Sequence, residues 1–464
     1  MPKKRRFTQK MSRFFLIAIT AIAGFVPAPM ALADFPILRQ SIIDYNLKND
    51  NKSLSNGSYD GAAGILQIRP EIARSFGLTA FINQDYIAAK ALNIKADRLF
   101  AQAVSALKSR EKERFAGEHA ESAMESALAS KEALVSVRKH FAAYRSKLTP
   151  QIDERLNKKA CSVLLDRLLE ESLKKASFNL RDGLGIFYNR CQGLPENSPP
   201  LTPENVRFVN FVFSELQQKG SDADKKSFDL GKQERRRGTR PGSSWKNAVK
   251  KEGPHFVALV EKCLERKKKS GYPVDPLLFI ALMKRESNFD PRAVSYVGAA
   301  GLTQIMPKTG KGLGMKQIYM PSYFETAVSL MKRERKLRQR GIGLISKITK
   351  KNKTKQARLA RKLMQESLDL GRKRSGLFSR YKKELLEKDR DDRLNPGKAM
   401  KYGYKYFSDL MRTQKGDISL ALASYNAGPH RVKQYNGVPP YAETVTFRNT
   451  VLRYYREYLN GIED

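Results

Sequence analysis

The sequence predicts a mainly α-helical protein: an N-terminal helical domain, then a C-terminal helical domain interrupted by a basic insertion. Three observations predict it. Residues 84–214 are rich in Ala, Leu, Lys and Glu, with apolar positions at three- and four-residue spacing, as in Leu164, Leu165, Leu168, Leu169 and Leu173. Asp275-Pro276 is a helix opening, a capping acceptor followed by proline at the first helical position, and it leads into an apolar stretch. Residues 332–383 also carry a helical pattern, within a run of basic side chains.

The first 33 residues have the three parts of an export signal. Lys3, Lys4, Arg5, Arg6, Lys10 and Arg13 make a basic start, and residues 14–26 form a mostly apolar run. Ala31-Leu32-Ala33 then offers a small-x-small cleavage pattern, so the mature chain is expected to begin at Asp34 in the periplasm or outside the cell. The apolar run is shorter than the ~20 residues a membrane-spanning helix needs. No Cys beside the cleavage site offers a lipid attachment point.

The formal charge of the 464 residues is +40. Such a chain associates with polyanions. Outside the cytoplasm these are the carboxylates of the cell wall, anionic wall polymers or a membrane surface, and export argues against nucleic acid. Cys161, Cys191 and Cys263 are an odd set. A Cys161–Cys191 bridge is one option that the compartment permits, leaving the pairing open. The four histidines are scattered singly and there is no C-x-x-C, so neither a metal site nor a cofactor is expected.

The helical domain, residues 34–216, ends after the turn cluster Leu194-Pro195-Glu196-Asn197-Ser198-Pro199-Pro200 and a further helix near 203–218. Its expected role is to position or space the second domain. Residues 217–250 read as a linker, with Arg235-Arg236-Arg237, Pro241-Gly242-Ser243-Ser244 and the single tryptophan, Trp245, expected to dock on the next domain. Residues 59–70 echo residues 296–307 at eight of twelve positions. The same spacing that separates Gly298 from Glu286 leads back from this echo to Asn49, which cannot donate a proton as a carboxylic acid does. No Tyr-Asn-Ala-Gly follows before Gly220, so the echo reads as a decayed duplicate or a chance helix-start motif.

In the C-terminal domain, residues 251–464, a mostly apolar helix after Asp275 carries Glu286 near its C-terminal end. Both the helix dipole and apolar neighbours disfavour the charged carboxylate there, which suits a general acid. Three blocks then stand in order: Lys284-Arg285-Glu286-Ser287-Asn288-Phe289, Gly298-Ala299-Ala300-Gly301-Leu302-Thr303-Gln304-Ile305-Met306-Pro307, and Ser424-Tyr425-Asn426-Ala427-Gly428-Pro429. A last block, Tyr441-Ala442-Glu443-Thr444, follows. Together they resemble the SLT-type catalytic domain of lytic transglycosylases, of the goose-type-lysozyme-like superfamily.

The resemblance implies cleavage of the MurNAc–GlcNAc β-1,4 bond of peptidoglycan with formation of a 1,6-anhydroMurNAc end. It implies Glu286 as the only catalytic acid and base, and Ser295, Gln304, Met306, Tyr425, Asn426 and Glu443 as substrate-binding residues. Tyr425 is implied to reach Glu286 with its hydroxyl. A lysozyme-type hydrolase and a non-catalytic wall-binding protein are the rival expectations. The chain departs from the family at Thr303, Ser424, Ala399 and Phe447; the last two remove polar groups and are expected to weaken a subsite or its supporting turn. The insertion, about residues 332–393, holds 20 Lys and Arg against three acids over 332–383. It reads as a solvated, partly flexible arm, broken at Gly341, Gly343, Gly371 and Gly376, or as an electrostatic clamp on wall or membrane.

Overall fold

The computed structural model describes residues 36–56, 60–109, 116–177, 179–220, 246–247, 257–258, 261 and 272–460. The export signal, Trp245, the Arg235–Arg237 run and Cys263 lie outside them. The described chain is mainly α-helical. The N-terminal part supplies α1 (Pro36–Asn56), α2 (Pro70–Ser75), α3 (Gln84–Lys108), α4 (Ala116–Arg145), a short 3-10 turn (Glu154–Leu156), α5 (Lys158–Lys175), α6 (Leu180–Cys191) and α7 (Val206–Lys219). The C-terminal part supplies α8 (Pro276–Ser287), α9 (Pro307–Leu313), α10 (Ser322–Ser346), α11 (Lys353–Lys388), α12 (Pro396–Thr413), α13 (Ile418–Ala427), α14 (Pro429–Gln434) and α15 (Ala442–Asn460). Helix α7 continues through residues 217–219, so the start of the expected linker is helical.

Capping explains many of the starts. Asn83, Asn157, Asn179, Asp275, Asn395 and Asp417 each accept a backbone N–H of the first turn with their side chains. Proline opens α2, α8, α9, α12 and α14, where its missing N–H is not needed.

The basic stretch is a packed helical hairpin rather than a flexible arm. Gly341 and Gly343 lie within α10, and Gly371 and Gly376 within α11, so none of the four breaks a helix. Gly341 is where α10 crosses α11: a Cβ there would sit 3.1 Å from the Ala360 carbonyl. The hairpin docks on the α3–α4 hairpin through small side chains, with Ala103, Ala123, Ala127, Ala357 and Ala360 buried beside Ile345, Ile348 and Met364. Arg361 donates to the carbonyls of Ala106 (2.8 Å) and Leu107 (3.2 Å), meeting the negative end of α3.

The echo at 59–70 proves to be one end of a duplication. In the first part, Arg155 and Asp153 form an ion pair whose side chains have no exposure. Arg155 also donates to the carbonyls of Gly61 (2.9 Å) and Ile68 (3.0 Å) and to the Tyr144 hydroxyl. In the second part, Arg393 does the same with Asp391, Gly298 (3.1 Å), Ile305 (3.2 Å) and Tyr381. Asp153-Glu154-Arg155-Leu156-Asn157 corresponds to Asp391-Asp392-Arg393-Leu394-Asn395. A Cβ on Gly64 would lie 1.7 Å from the Arg155 carbonyl, and one on Gly301 1.7 Å from the Arg393 carbonyl. Both glycines have positive φ, +74° and +76°. The order helix, glycine loop, long hairpin, arginine knot therefore occurs twice, followed among the described residues by three helices in the first part and by four, with the short α14 added, in the second.

The two copies share one core. Leu184, Val209, Val212 and Phe213 of the first pack with Ala423, Val432, Val438 and Val445 of the second. Asp182 on α6 is buried and holds both Arg448 and Arg456 of α15, and these two guanidinium groups keep its carboxyl ionised against the burial. Cys161 and Cys191 are buried and unbridged. The Cys161 thiol instead meets the Arg155 carbonyl at 3.2 Å, so the Cys161–Cys191 option is not realised.

Candidate active site

Helix α8 places the acid. Asp275 accepts the Leu277 amide (2.8 Å), and every residue from Pro276 to Met283 is buried, so the helix runs through the core. It stops at Asn288, in the left-handed conformation at φ +49°. Glu286 therefore sits in the last turn, half-buried where the helix emerges. Desolvation of its carboxyl pushes the pKa up to about 8; Arg285 opposes the rise and the nearby Glu443 charge adds to it. The neighbouring Arg285 guanidinium lies 5.8 Å from the Phe447 ring centroid.

The loop after α8 is shaped by its own hydrogen bonds. Ser295 Oγ accepts the Ala299 amide (2.9 Å), and the Ser295 amide donates to the Ala299 carbonyl (2.9 Å). Gln304, at φ +44°, donates from Nε2 to the carbonyls of Ala293 (3.0 Å) and Gly301 (2.9 Å). These two side chains, expected to meet substrate, thus use Ser295 Oγ and Gln304 Nε2 to hold the loop. Met306 is the residue before α9, half-buried against the cluster of Ala300, Phe324 and Leu394. From behind, Arg393 grips the same loop.

Tyr425, near the end of α13, stands beside Glu286: burial and the Glu286 charge hold its phenol well above its ordinary pKa. Its hydroxyl donates to the Thr303 carbonyl (2.7 Å), so the expected bond to Glu286 is replaced by one to the loop. Asn426 Oδ1 accepts from Thr444 Oγ1 (2.7 Å), tying α13 to α15. Glu443 is exposed in the first turn of α15. The fold therefore gathers Glu286, Tyr425 and Glu443, with Asn426 one bond away and Ser295, Gln304 and Met306 on the supporting loop.

Two of the departures meet each other. Thr303 is buried and donates to the Ala399 carbonyl (3.0 Å), while Ala399 packs in the core. Phe447 lies parallel to Tyr425 with centroids 6.5 Å apart, making that wall of the site apolar. Ser424 is buried and accepts from Gln414 (3.1 Å). Sequence reasoning missed Arg393 and Asp391; the repeated Asp-x-Arg-Leu-Asn is the signal that could have found them.

Comparison with known proteins points to the same region. The family "Transglycosylase SLT domain" matches residues 264–329 and 375–444, leaving out the outer part of the basic hairpin. The transglycosylase of Enterobacteria phage PRD1 is 45% identical over 51 residues, 11% of this chain and 19% of that protein. Membrane-bound lytic murein transglycosylase C of Haemophilus influenzae is 35% identical over 63 residues, 14% of this chain and 16% of its own length. The chain thus aligns with less than a fifth of each of these relatives. The 70 kDa soluble lytic transglycosylase of Escherichia coli aligns over 97% of this chain and 75% of its own, at 14% identity and a TM-score of 0.26. The domain that carries Glu286 is thus similar to the SLT transglycosylase domain.

Proposed function

We propose that the protein cleaves the MurNAc–GlcNAc β-1,4 bond of peptidoglycan with Glu286 as its only acid and base. The observation that carries this is a carboxyl desolvated to a pKa of about 8, able to hold a proton near neutrality. Neutral Glu286 gives its proton to the glycosidic oxygen as the C1–O bond breaks, and the sugar's N-acetyl group stabilises the cation. The carboxylate then takes the proton of the sugar's own C6 hydroxyl, whose oxygen closes on C1 as a 1,6-anhydro ring. Using a hydroxyl already on the substrate avoids immobilising a second reactant. Tyr425 and Phe447 exclude water from one side, and Glu443 accepts from sugar hydroxyls.

Mass spectrometry of purified sacculi digested in ¹⁸O-labelled water tests the reading. The expected products carry anhydro ends and no label. Reducing ends carrying ¹⁸O mean hydrolysis instead, a reading for which the nearby Glu443 supplies a second carboxylate.

The site of action is proposed to be outside the cytoplasm, with cleavage after Ala33, in keeping with the murein named for the relatives. The basic hairpin is proposed to hold anionic wall polymer or membrane. Lys351, Lys353, Lys355 and Arg358 are exposed where α11 begins. Replacing all four by Gln is expected to weaken low-salt retention on sacculi several-fold, with the difference fading above roughly 0.5 M salt as screening takes over. Identical retention at low salt rejects the clamp.

A further inference from the structure

The duplication extends beyond the loop and its arginine knot to the side chains of the cleft. Tyr188-Asn189 near the end of α6 falls 237 residues before Tyr425-Asn426 near the end of α13. Glu204-Asn205-Val206-Arg207-Phe208-Val209-Asn210 falls 239 residues before Glu443-Thr444-Val445-Thr446-Phe447-Arg448-Asn449, matching at Glu, Val, Phe and Asn. The contacts match as well. Asn205 Nδ2 donates to Asn189 Oδ1 (2.9 Å), where Thr444 donates to Asn426 Oδ1. Phe208 lies against Tyr188 with centroids 5.2 Å apart, where Phe447 lies against Tyr425. Gln67 is left-handed at φ +48° and donates to the Gly64 carbonyl (2.9 Å), as Gln304 does to Gly301. The one catalytic position that differs in kind is Asn49, which stands 237 residues before Glu286.

We propose that this first copy is a second, non-catalytic binding site for a β-1,4-linked strand of N-acetylated sugars, walled by Tyr188, Asp60 and Glu204. Only the ligand class rests on the reading of the C-terminal cleft; the site rests on the repeated geometry. The shared core explains why Val206, Phe208 and Val212 stay apolar. It gives no reason for a glutamate at 204, which is exposed in the turn just before α7, as Glu443 is exposed in the first turn of α15. The half-buried Tyr188 packs its ring on that core, which does not call for its hydroxyl; burial pushes the phenol up to about 12, with Tyr45, Asp60 and Glu204 all close enough to add to the rise. The Asp60 and Glu204 carboxylates beside the Tyr188 phenol disfavour phosphate and other anions. They accept hydrogen bonds from a neutral, hydroxyl-rich face, and an aromatic ring beside them suits the apolar side of a sugar. The residue 237 positions before Glu286 is an asparagine, which cannot act as an acid, so the strand is held and not cut. Two sites on one chain raise the effective concentration of the strand at the cutting cleft.

The test uses the full chain carrying Glu286→Gln, titrated calorimetrically with the β-1,4-linked N-acetylglucosamine hexamer. Two sites per chain are expected. Adding Tyr188→Phe with Glu204→Gln, changes that keep shape and apolar packing, should weaken one site about tenfold and leave the other and the melting temperature unchanged. Adding Glu443→Gln instead should weaken the other. A single site, lost with Glu443→Gln and indifferent to the Tyr188 and Glu204 changes, overturns the inference while leaving the C-terminal reading intact. An absence of any hexamer binding overturns it too. So does residual strand cutting by the Glu286→Gln chain that disappears with Asp60→Asn, since the first copy would then be an enzyme.

Discussion

Glu286→Gln removes lytic turnover by about a thousandfold or more, because the amide can neither give a proton to the leaving oxygen nor take one from the C6 hydroxyl. Binding to sacculi persists, since shape and polarity at the position are kept. For the wild type, the acid must be protonated in the free enzyme, so kcat/KM is expected to hold at neutral pH and fall as pH rises through about 8. The same shift sets a stability signature. The folded pKa lies above the unfolded value, so the folded chain binds the proton more tightly. The contribution is most favourable below the unfolded pKa near 4.5 and is lost as pH rises from there to about 8. The variant carries no such penalty, so it should melt later than wild type at pH 9 and converge with it toward pH 5. Sacculus clearance within tenfold of wild type, or melting curves offset equally at both pH values, would refute the assignment of Glu286.

How much of this was legible in the chain differs from element to element, and range in sequence explains the difference. The cap at Asp275, the apolar α8 and the placement of Glu286 are local: each is written within a dozen residues. The helices over residues 84–214 are written in the same way. The hairpin is not legible because its glycines look like breaks, and only the facing Ala360 backbone gives Gly341 a reason to be there. Tyr425 was placed beside the acid, but the partner of its hydroxyl depends on where the Thr303 carbonyl points, which no residue type encodes. The duplication is plain in one block only, because its other blocks have diverged: Tyr188-Asn189 lacks the following Ala-Gly, and the motif after it begins Pro203-Glu204 rather than Ala442-Glu443. What the copies kept most strictly is the arginine knot, which holds backbone.

Arg393→Ala is expected to be the most damaging change to the fold, at about 3–5 kcal/mol. Its guanidinium is fully buried and bonds both Asp391 oxygens, the Gly298 and Ile305 carbonyls and the Tyr381 hydroxyl. Truncation leaves the Asp391 carboxylate buried without its counter-charge and two loop carbonyls short of a donor. Arg393→Lys should rescue little, because one ammonium cannot span five acceptors arranged for a planar fork. Gly301→Ala attacks the same contact from the other side: the new methyl would collide with the Arg393 carbonyl, and φ of +76° is unfavourable for alanine. The duplicated knot separates stability from catalysis. Arg155→Ala removes the equivalent bonds around Gly61 and Ile68, so it should lower the urea midpoint by a similar amount. Turnover per folded molecule should fall with Arg393→Ala, whose loop carries Ser295 and Gln304 beside the acid, and stay near wild type with Arg155→Ala. Urea midpoints and turnover measured on the folded fraction of each variant decide it. Equal loss of turnover in both would mean that the knots serve only the common core, and that the loop's shape does not set the geometry around Glu286.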